Sequence, residues 1–261
     1  MECKDVEWAT FLYNAIGEDE SYIIRLDKVQ KGIKGAQTLD DHVVDEIIKF
    51  LNQWRSRANG EKVKEGIIKW YNETCNQLDA LPLSLLGADF EDNNTAKGIK
   101  DIYRAITKKT YIGDTIASKV LHIIKPKLFV PWDSVIKEFY NCQIDQANNK
   151  KIDPDEQYLC FLKEMQEEAK SLIKQNGNFL KELNSRVLEL YKGNLQQAED
   201  NKEKLCESGE SMKKNIDNYN EMIKYMETTG KTMAKYLDEY NWITITNTVK
   251  VPPKWHPDEE S

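Results

Sequence analysis

Asp133 is the residue whose type and position most favour chemistry. It follows an extended segment, 126–131, that has a proline at each end, and it precedes a helical pattern containing Ile136. Prolines restrict the backbone, so the chain on the N-terminal side fixes the position of this carboxylate. A fixed carboxylate can orient an attacking water or stabilise a developing positive charge. An aspartate just before a helix is also typical of an ordinary N-cap, so both roles remain open.

The chain around Asp133 is basic, although the protein as a whole is acidic. The net charge is −7 at pH 7, which argues against general adhesion to nucleic acid. Between residues 95 and 137, however, nine Lys or Arg residues are accompanied by only three acidic residues, which gives this stretch a charge of +6. Such an uneven distribution favours a local positive surface.

The pattern of apolar residues predicts an all-α protein with at most one short strand pair. Spacings of three and four predict helices beginning near residues 41, 62, 95, 115 and 134, with Thr95 as one of the caps. Three longer helices are predicted over 154–174, 178–192 and 211–240, separated by Gly177, Gly193 and Gly209. In the last of these, Met and Tyr residues form a packing stripe, and Lys and Glu residues form a solvated face. The alternating residues 242–251 suggest a short strand or an extended segment.

Residues 111–136 resemble the core of the helix-hairpin-helix DNA glycosylase superfamily. In that family, a glycine-containing hairpin and the next helix N-terminus hold a DNA phosphate, and a Pro-x-Asp supplies the catalytic carboxylate. Here Ile-Gly-Asp-Thr-Ile-Ala at 112–117 matches the hairpin, and Pro-Trp-Asp at 131–133 matches the Pro-x-Asp. Helix order extends the resemblance to residues 40–145. It implies a glycosylase-like helical core followed by a long helical C-terminal extension.

The resemblance implies an N-glycosylase that hydrolyses the bond to a damaged or modified base of DNA, with Asp133 as its catalytic residue. A helix N-terminus binds anions, and nearby lysines add positive charge. The residues expected to contact DNA are Lys108, Lys109, Gly113, Thr115 and Lys119. A flipped base needs aromatic walls. The candidates for these walls are Trp132, Tyr103, Tyr111 and Trp54.

The sequence also departs from the family pattern. The hairpin has one glycine where typical members have two, and Asp114 places a negative charge near the expected phosphate. Members that also cleave the strand carry a lysine in the helix after the hairpin, where this chain has Thr115. A monofunctional enzyme is therefore expected, although Lys119 lies one turn further on and could replace that lysine.

Composition limits the remaining possibilities. The predicted organisation is a core with N-terminal helices over 1–150, an extension packing on it over 151–250, and a tail over 251–261. The five cysteines and three histidines lack metal-ligand spacing, so neither a metal nor a cofactor is expected. The chain has no apolar run long enough to span a membrane and no signal peptide at its start. We therefore expect an intracellular protein, cytoplasmic or nuclear, without a membrane partner.

A second interpretation belongs to another functional class. The same fold can serve as a non-catalytic module that binds nucleic acid or a protein, with the acidic C-terminal helices as the contact surface. In that case Asp133 is only a helix cap. A nuclease is less favoured, because the sequence has no paired metal-binding carboxylate motif.

Overall fold

The computed structural model describes residues 1–16, 19–54, 56, 58, 60–140, 152–205 and 210–249. Within these ranges the regular structure is helical and contains no strand, which confirms the predicted all-α class. The helices in chain order are α1 (Cys3–Ala15), α2 (Asp19–Ile33), α3 (Asp41–Gln53), α4 (Glu61–Ala80), α5 (Asn93–Thr107), α6 (Asp114–Ile124), α7 (134–140), α8 (Pro154–Gln175), α9 (Phe179–Leu205), α10 (Glu210–Thr228), α11 (Met233–Asn241) and a π-helix (Trp242–Thr246).

Aspartate side chains cap two of the predicted helices. Asp40 is the N-cap of α3, and its side chain accepts a hydrogen bond from the backbone N–H of Val43 at 2.8 Å. Asp92 begins α5 and accepts from the backbone N–H of Thr95 at 2.8 Å and from its hydroxyl at 2.9 Å. The prediction of Thr95 as the cap is therefore wrong, because Thr95 lies in the first turn and donates to the residue that caps the helix.

Helix α6 lies at the centre of the molecule and packs against α2, α3 and α5. All its side chains from Ala117 to Ile124 are buried, as expected for a helix that has apolar residues on every side. His122 on this helix contacts the Tyr22 hydroxyl through Nε2 at 2.9 Å and the Phe129 carbonyl oxygen through Nδ1 at 2.6 Å. Burial lowers the pKa of His122 to about 3, so its imidazole is a neutral part of the core.

The helices after residue 152 differ from the predicted ones at two glycines. Gly193 does not end a helix, since α9 continues through it to Leu205. Gly230 does interrupt the predicted helix over 211–240, because its φ of +70° is a left-handed conformation that favours glycine. Thr232 then caps α11 by accepting a hydrogen bond from the backbone N–H of Lys235.

The predicted strand over 242–251 is wrong for its described part. Residues Trp242–Thr246 continue directly from α11 as a π-helix, and its last turn is closed by a 3.0 Å hydrogen bond from Asn247 N to the Trp242 carbonyl oxygen. Residues 250–261, which include the predicted tail, lie outside the described residues, as do Gly209 and most of the predicted loop at 148–153.

One hydrophobic core connects the two halves of the chain. Side chains of α8 to α11 belong to the same buried cluster as those of α2 to α6. Tyr158 of α8, for example, stacks on Tyr103 of α5 at 4.4 Å and donates its hydroxyl to the Val130 carbonyl oxygen at 2.9 Å. None of the helices described is both long enough and apolar enough to cross a bilayer.

Candidate functional site

Asp133 lies in the wall of a cavity of about 260 Å³. This volume is slightly below the ~300–1,000 Å³ typical of small-molecule sites and suits a small ligand. The cavity forms where α1, the end of α3, α6, the start of α7, α11 and the π-helix meet. It is lined by Tyr13, Trp54, Thr115, Lys119, Pro131, Trp132, Asp133, Ser134, Ile136, Asp238, Trp242, Thr246 and Asn247.

The carboxylate of Asp133 is both a helix cap and part of the cavity wall. Its Oδ1 accepts hydrogen bonds from the backbone N–H groups of Val135 at 2.9 Å and Ile136 at 2.8 Å. Its Oδ2 accepts a 2.7 Å hydrogen bond from the hydroxyl of Thr246. The residue is half-buried and remains accessible from the cavity. Its geometry is therefore compatible with both sequence interpretations.

A second carboxylate, Asp238 of α11, lines the same cavity. Its Oδ2 lies 3.1 Å from the Nζ of Lys235, which is 0% exposed. Burial raises the pKa of Asp238, although the positive charge of Lys235 opposes this shift. The sequence did not indicate this residue. The predicted solvated face of this segment is wrong here, because Lys235 and Glu239 are both fully buried.

Aromatic rings surround the ammonium group of Lys235. Its Nζ lies 4.2 Å from the ring centroid of Tyr13, 4.6 Å from that of Tyr22 and 4.5 Å from that of Trp54. Cations are attracted to aromatic faces at such distances, and more strongly when water is excluded. Because Tyr13 and Trp54 also line the cavity, the buried ammonium helps to hold two of its aromatic walls in place.

Two of the four predicted base-pocket residues come together in the cavity. Trp54 and Trp132 line it, and Trp132 is only 1% exposed. Tyr103 lies in the core instead, where its hydroxyl donates to Asp114 at 3.0 Å. Tyr111 lies on the surface and is 62% exposed, with the Lys62 ammonium 5.2 Å from its ring centroid.

The fold supplies other aromatic walls that sequence reasoning missed. Tyr13 of α1 and Trp242 of the π-helix both line the cavity, and their rings make an edge-to-face contact at 5.5 Å. The two residues are more than two hundred positions apart in the chain. No spacing motif or composition signal connects them with Asp133.

The residues predicted to contact DNA lie in different environments. Lys108 and Gly113 are exposed in the turn between α5 and α6, whereas Lys109 is half-buried and pairs with Glu73 at 2.5 Å. Thr115 lines the cavity. Lys119 lines it too, and its Nζ donates to the Trp54 carbonyl oxygen at 2.7 Å. Lys119 therefore lies in an internal wall, away from the outer surface.

Most of the basic side chains in residues 95–137 make ion pairs or hydrogen bonds within the protein. Lys137 pairs with Asp114, so the negative charge near the expected phosphate position is compensated. Further internal contacts join Lys100 to Glu156, Arg104 to Asp101 and Asp155, and Lys125 to the Leu78 and Leu81 carbonyl oxygens. Three exposed lysines have no ion-pair partner among the described residues, and these are Lys97, Lys108 and Lys127.

Comparison with known protein families, curated proteins and solved structures gives no match. Within the described part of the chain, His, Cys, Asp and Glu side chains form no group of three or more that could hold a metal ion. The function of the cavity must therefore be inferred from its own chemistry, which combines two carboxylates, aromatic walls and a neighbouring buried ammonium.

Proposed function

We propose that this protein is a DNA N-glycosylase-like enzyme that hydrolyses the bond between deoxyribose and a damaged or modified base. The observation that carries the proposal is the placement of Asp133, whose carboxylate lies in a cavity together with the indole rings of Trp54 and Trp132. The resemblance of residues 111–136 to the helix-hairpin-helix glycosylases is the second support.

In the proposed reaction, the carboxylate of Asp133 stabilises a positive charge that develops on the sugar. Breaking an N-glycosidic bond leaves an electron-poor sugar, which a nearby carboxylate stabilises while it orients the attacking water. Hydrogen bonds from Val135, Ile136 and Thr246 fix both oxygens of Asp133, so its position needs little reorganisation during the reaction. A flipped base would occupy the space beside the aromatic walls.

The proposed DNA contact is the turn that precedes α6. This helix begins after Gly113 without a side-chain cap, so the first backbone N–H groups are available to a phosphate. The exposed ammonium of Lys108 lies in the same turn. Because most other basic side chains are paired internally, we expect few phosphate contacts and a modest dependence of DNA affinity on salt. For each phosphate contact, the logarithm of the association constant should fall by about 0.9 when the salt concentration rises tenfold.

We propose hydrolysis alone, without strand cleavage by an amine. The position that matches the lysine of strand-cleaving members is Thr115, which has no amine. Lys119 lines the cavity, but its ammonium donates hydrogen bonds to the Trp54 carbonyl oxygen at 2.7 Å and to the Ser56 hydroxyl at 3.0 Å. Borohydride reduction during the reaction should therefore trap no covalent protein–DNA complex. A trapped complex that Lys119→Met abolishes would assign the amine mechanism instead.

The decisive experiment incubates the full chain with duplex oligonucleotides that each contain one modified base, followed by alkaline cleavage at abasic sites. The panel includes uracil, hypoxanthine, 8-oxoguanine and N7-methylguanine. We expect cleavage of at least one duplex, and a loss of about 10²–10⁴ in rate for Asp133→Asn. The loss should not come from unfolding, because asparagine caps a helix as well as aspartate does.

Asp92→Asn is the matched control. Asp92 also caps a helix through its carboxylate, but it does not line the cavity. This variant should release the base at the wild-type rate. Full activity of Asp133→Asn, or release of no base from any duplex by the wild-type protein, would refute the proposal.

One observation favours the alternative of a non-catalytic nucleic-acid-binding or protein-interaction module. Both oxygens of Asp133 already accept hydrogen bonds within the protein, as in a purely structural cap. A module of this kind would bind DNA or a protein partner without releasing a base, and Asp133→Asn would leave that binding unchanged. The same duplex panel, read by gel shift as well as by alkaline cleavage, separates it from the enzyme.

A further inference from the structure

We infer that Asp238 is a second catalytic residue of the cavity, whose carboxyl group donates a proton to the departing base. This inference rests on the proposed glycosylase function and extends it. Asp238 and Asp133 line one cavity but come from different elements, α11 and the start of α7. They are therefore placed to act on different parts of the same ligand.

The surroundings of the two carboxylates suit different tasks. Asp133 accepts three hydrogen bonds, two from backbone N–H groups and one from Thr246, so both its oxygens act as acceptors. Asp238 is only 7% exposed and lies in a drier environment, although it lines the cavity. Pairs of carboxylates in contrasting environments are the usual arrangement for dividing acid and base roles.

Three charged groups act on Asp238. Lys235, on the same helix, lies 3.1 Å away, and Lys119 of α6 is also near enough to favour the ionised form. The charge of Asp133 acts in the opposite direction, and α1 contributes the uncharged ring of Tyr13 to this wall. Burial is the largest effect and raises the pKa of Asp238 above its ordinary value. A proton is therefore held more readily on this carboxyl group than on an exposed aspartate.

The proposed step balances without a cofactor. The bond between C1′ and the base nitrogen breaks, and its electron pair remains on the base. The base takes the proton of Asp238 and leaves as a neutral molecule. Water then forms a bond to C1′ and gives its proton to Asp133, and exchange with solvent restores both carboxyl groups. The sum is a base and an abasic sugar from nucleotide and water.

The test depends on the charge of the leaving base. A neutral base such as uracil or hypoxanthine leaves as an anion unless it is protonated, whereas N7-methylguanine carries a positive charge and leaves as a neutral molecule. Asp238→Asn should therefore reduce single-turnover release of the neutral base by about 10²–10⁴ and retain most of the release of N7-methylguanine. Asp217→Asn, on an exposed part of α10 and outside the cavity, is the control and should affect neither.

A second measurement needs no variant. In the wild-type protein, the rate for the neutral base relative to N7-methylguanine should fall as the pH is raised through the pKa of Asp238, because the carboxyl group loses the proton that it donates. A ratio that does not change with pH, an equal loss on both bases in Asp238→Asn, or activity on N7-methylguanine alone would overturn the role of Asp238. Those outcomes leave the glycosylase proposal intact. A wild-type protein that releases no base overturns both.

Discussion

The starts of α5 and α7 use the same local structure in different surroundings. At α5, the carboxylate of Asp92 accepts two hydrogen bonds from Thr95, three residues along the chain. One comes from the backbone N–H of Thr95 and the other from its hydroxyl. At α7, Asp133 makes the usual cap, but its second oxygen takes a hydrogen bond from Thr246, 113 residues away. A cap motif alone therefore does not distinguish a structural aspartate from a candidate catalyst. The residues brought close by the fold do.

The charges near these two aspartates differ in the same way. Beside Asp92, Glu91 pairs at 2.8 Å with Lys163, and the two side chains are 85% and 37% exposed. Near the cavity, Glu239, which follows Asp238 on α11, pairs at 2.9 Å with Lys231, and neither side chain has exposed surface. Solvent screens the first pair, whereas the second interacts in a medium of low dielectric constant.

The largest expected difference between the regions is in stability. Lys231→Met removes the cation that lies 2.9 Å from the buried carboxylate of Glu239 and should lower the free energy of unfolding by about 3–5 kcal/mol, because a buried charge loses its nearest partner. Lys163→Met removes an exposed partner of Glu91 and should cost about 0–1 kcal/mol. Urea unfolding of both variants measures the contrast. Similar losses would show that the two environments are energetically equivalent.

The next largest effect is a pH dependence of the free energy of unfolding, which comes from His122 near the cavity. The pKa of His122, which stacks near Trp54, is lowered to about 3 from 6.5, so below pH 6.5 only the unfolded chain takes up the proton. The stability that depends on the neutral imidazole is therefore complete above pH 6.5 and is lost as the pH falls toward 3. Between pH 7 and 5 the wild type should lose roughly 2 kcal/mol more than His122→Gln. Parallel pH profiles of unfolding would contradict this assignment.

A smaller effect should be shared by the two caps. Asp133→Ala and Asp92→Ala each remove the first-turn hydrogen bonds and should each lower the unfolding free energy by about 0.5–2 kcal/mol. Only Asp133→Ala should also abolish base release. The two measurements together separate stability from catalysis. A loss of base release in both variants would show that activity depends on general stability and not on the cavity.

The smallest expected effect is a loss of stability at acidic pH through Asp92. Hydrogen bonds from the backbone and hydroxyl of Thr95 lower the pKa of Asp92 below 3.8. Its contribution to stability is present above pH 3.8 and is lost as the pH falls through the lowered pKa. The stability of the wild type relative to Asp92→Asn should therefore fall on acidification, which thermal unfolding at several pH values would detect. A relative stability of the wild type that rises at low pH would show that the pKa of Asp92 is not lowered by folding.

The helices could be predicted where the apolar pattern is strong, as in α3, α4, α6 and α8. A glycine does not by itself mark the end of a helix, because Gly193 lies within α9 whereas Gly230 lies between α10 and α11. The two differ in φ, which the neighbouring tertiary structure determines. The π-helix was predicted as a strand, since β-branched residues favour extended structure unless the preceding helix and tertiary packing override that preference.

The candidate site was predictable only in its local part. Asp133 and Trp132 stand next to each other in the sequence, Thr115 lies in the hairpin motif, and Lys119 follows it one helical turn later. Asp238, by contrast, comes from a segment that has the spacing of an ordinary amphipathic helix. Its importance depends on which residues α11 meets after folding, and a single sequence carries no local signal for such long-range contacts.

The lining of the cavity depends on the exact number of residues in the π-helix that follows α11. Its wide turn places side chains four and five positions apart on one side, so that Trp242, Thr246 and Asn247 all reach the cavity. Deleting one residue here would tighten the turn into an ordinary α-helix and rotate the threonine hydroxyl away from its acceptor. A change in spacing with no change in composition would then disable the site as thoroughly as losing the threonine itself.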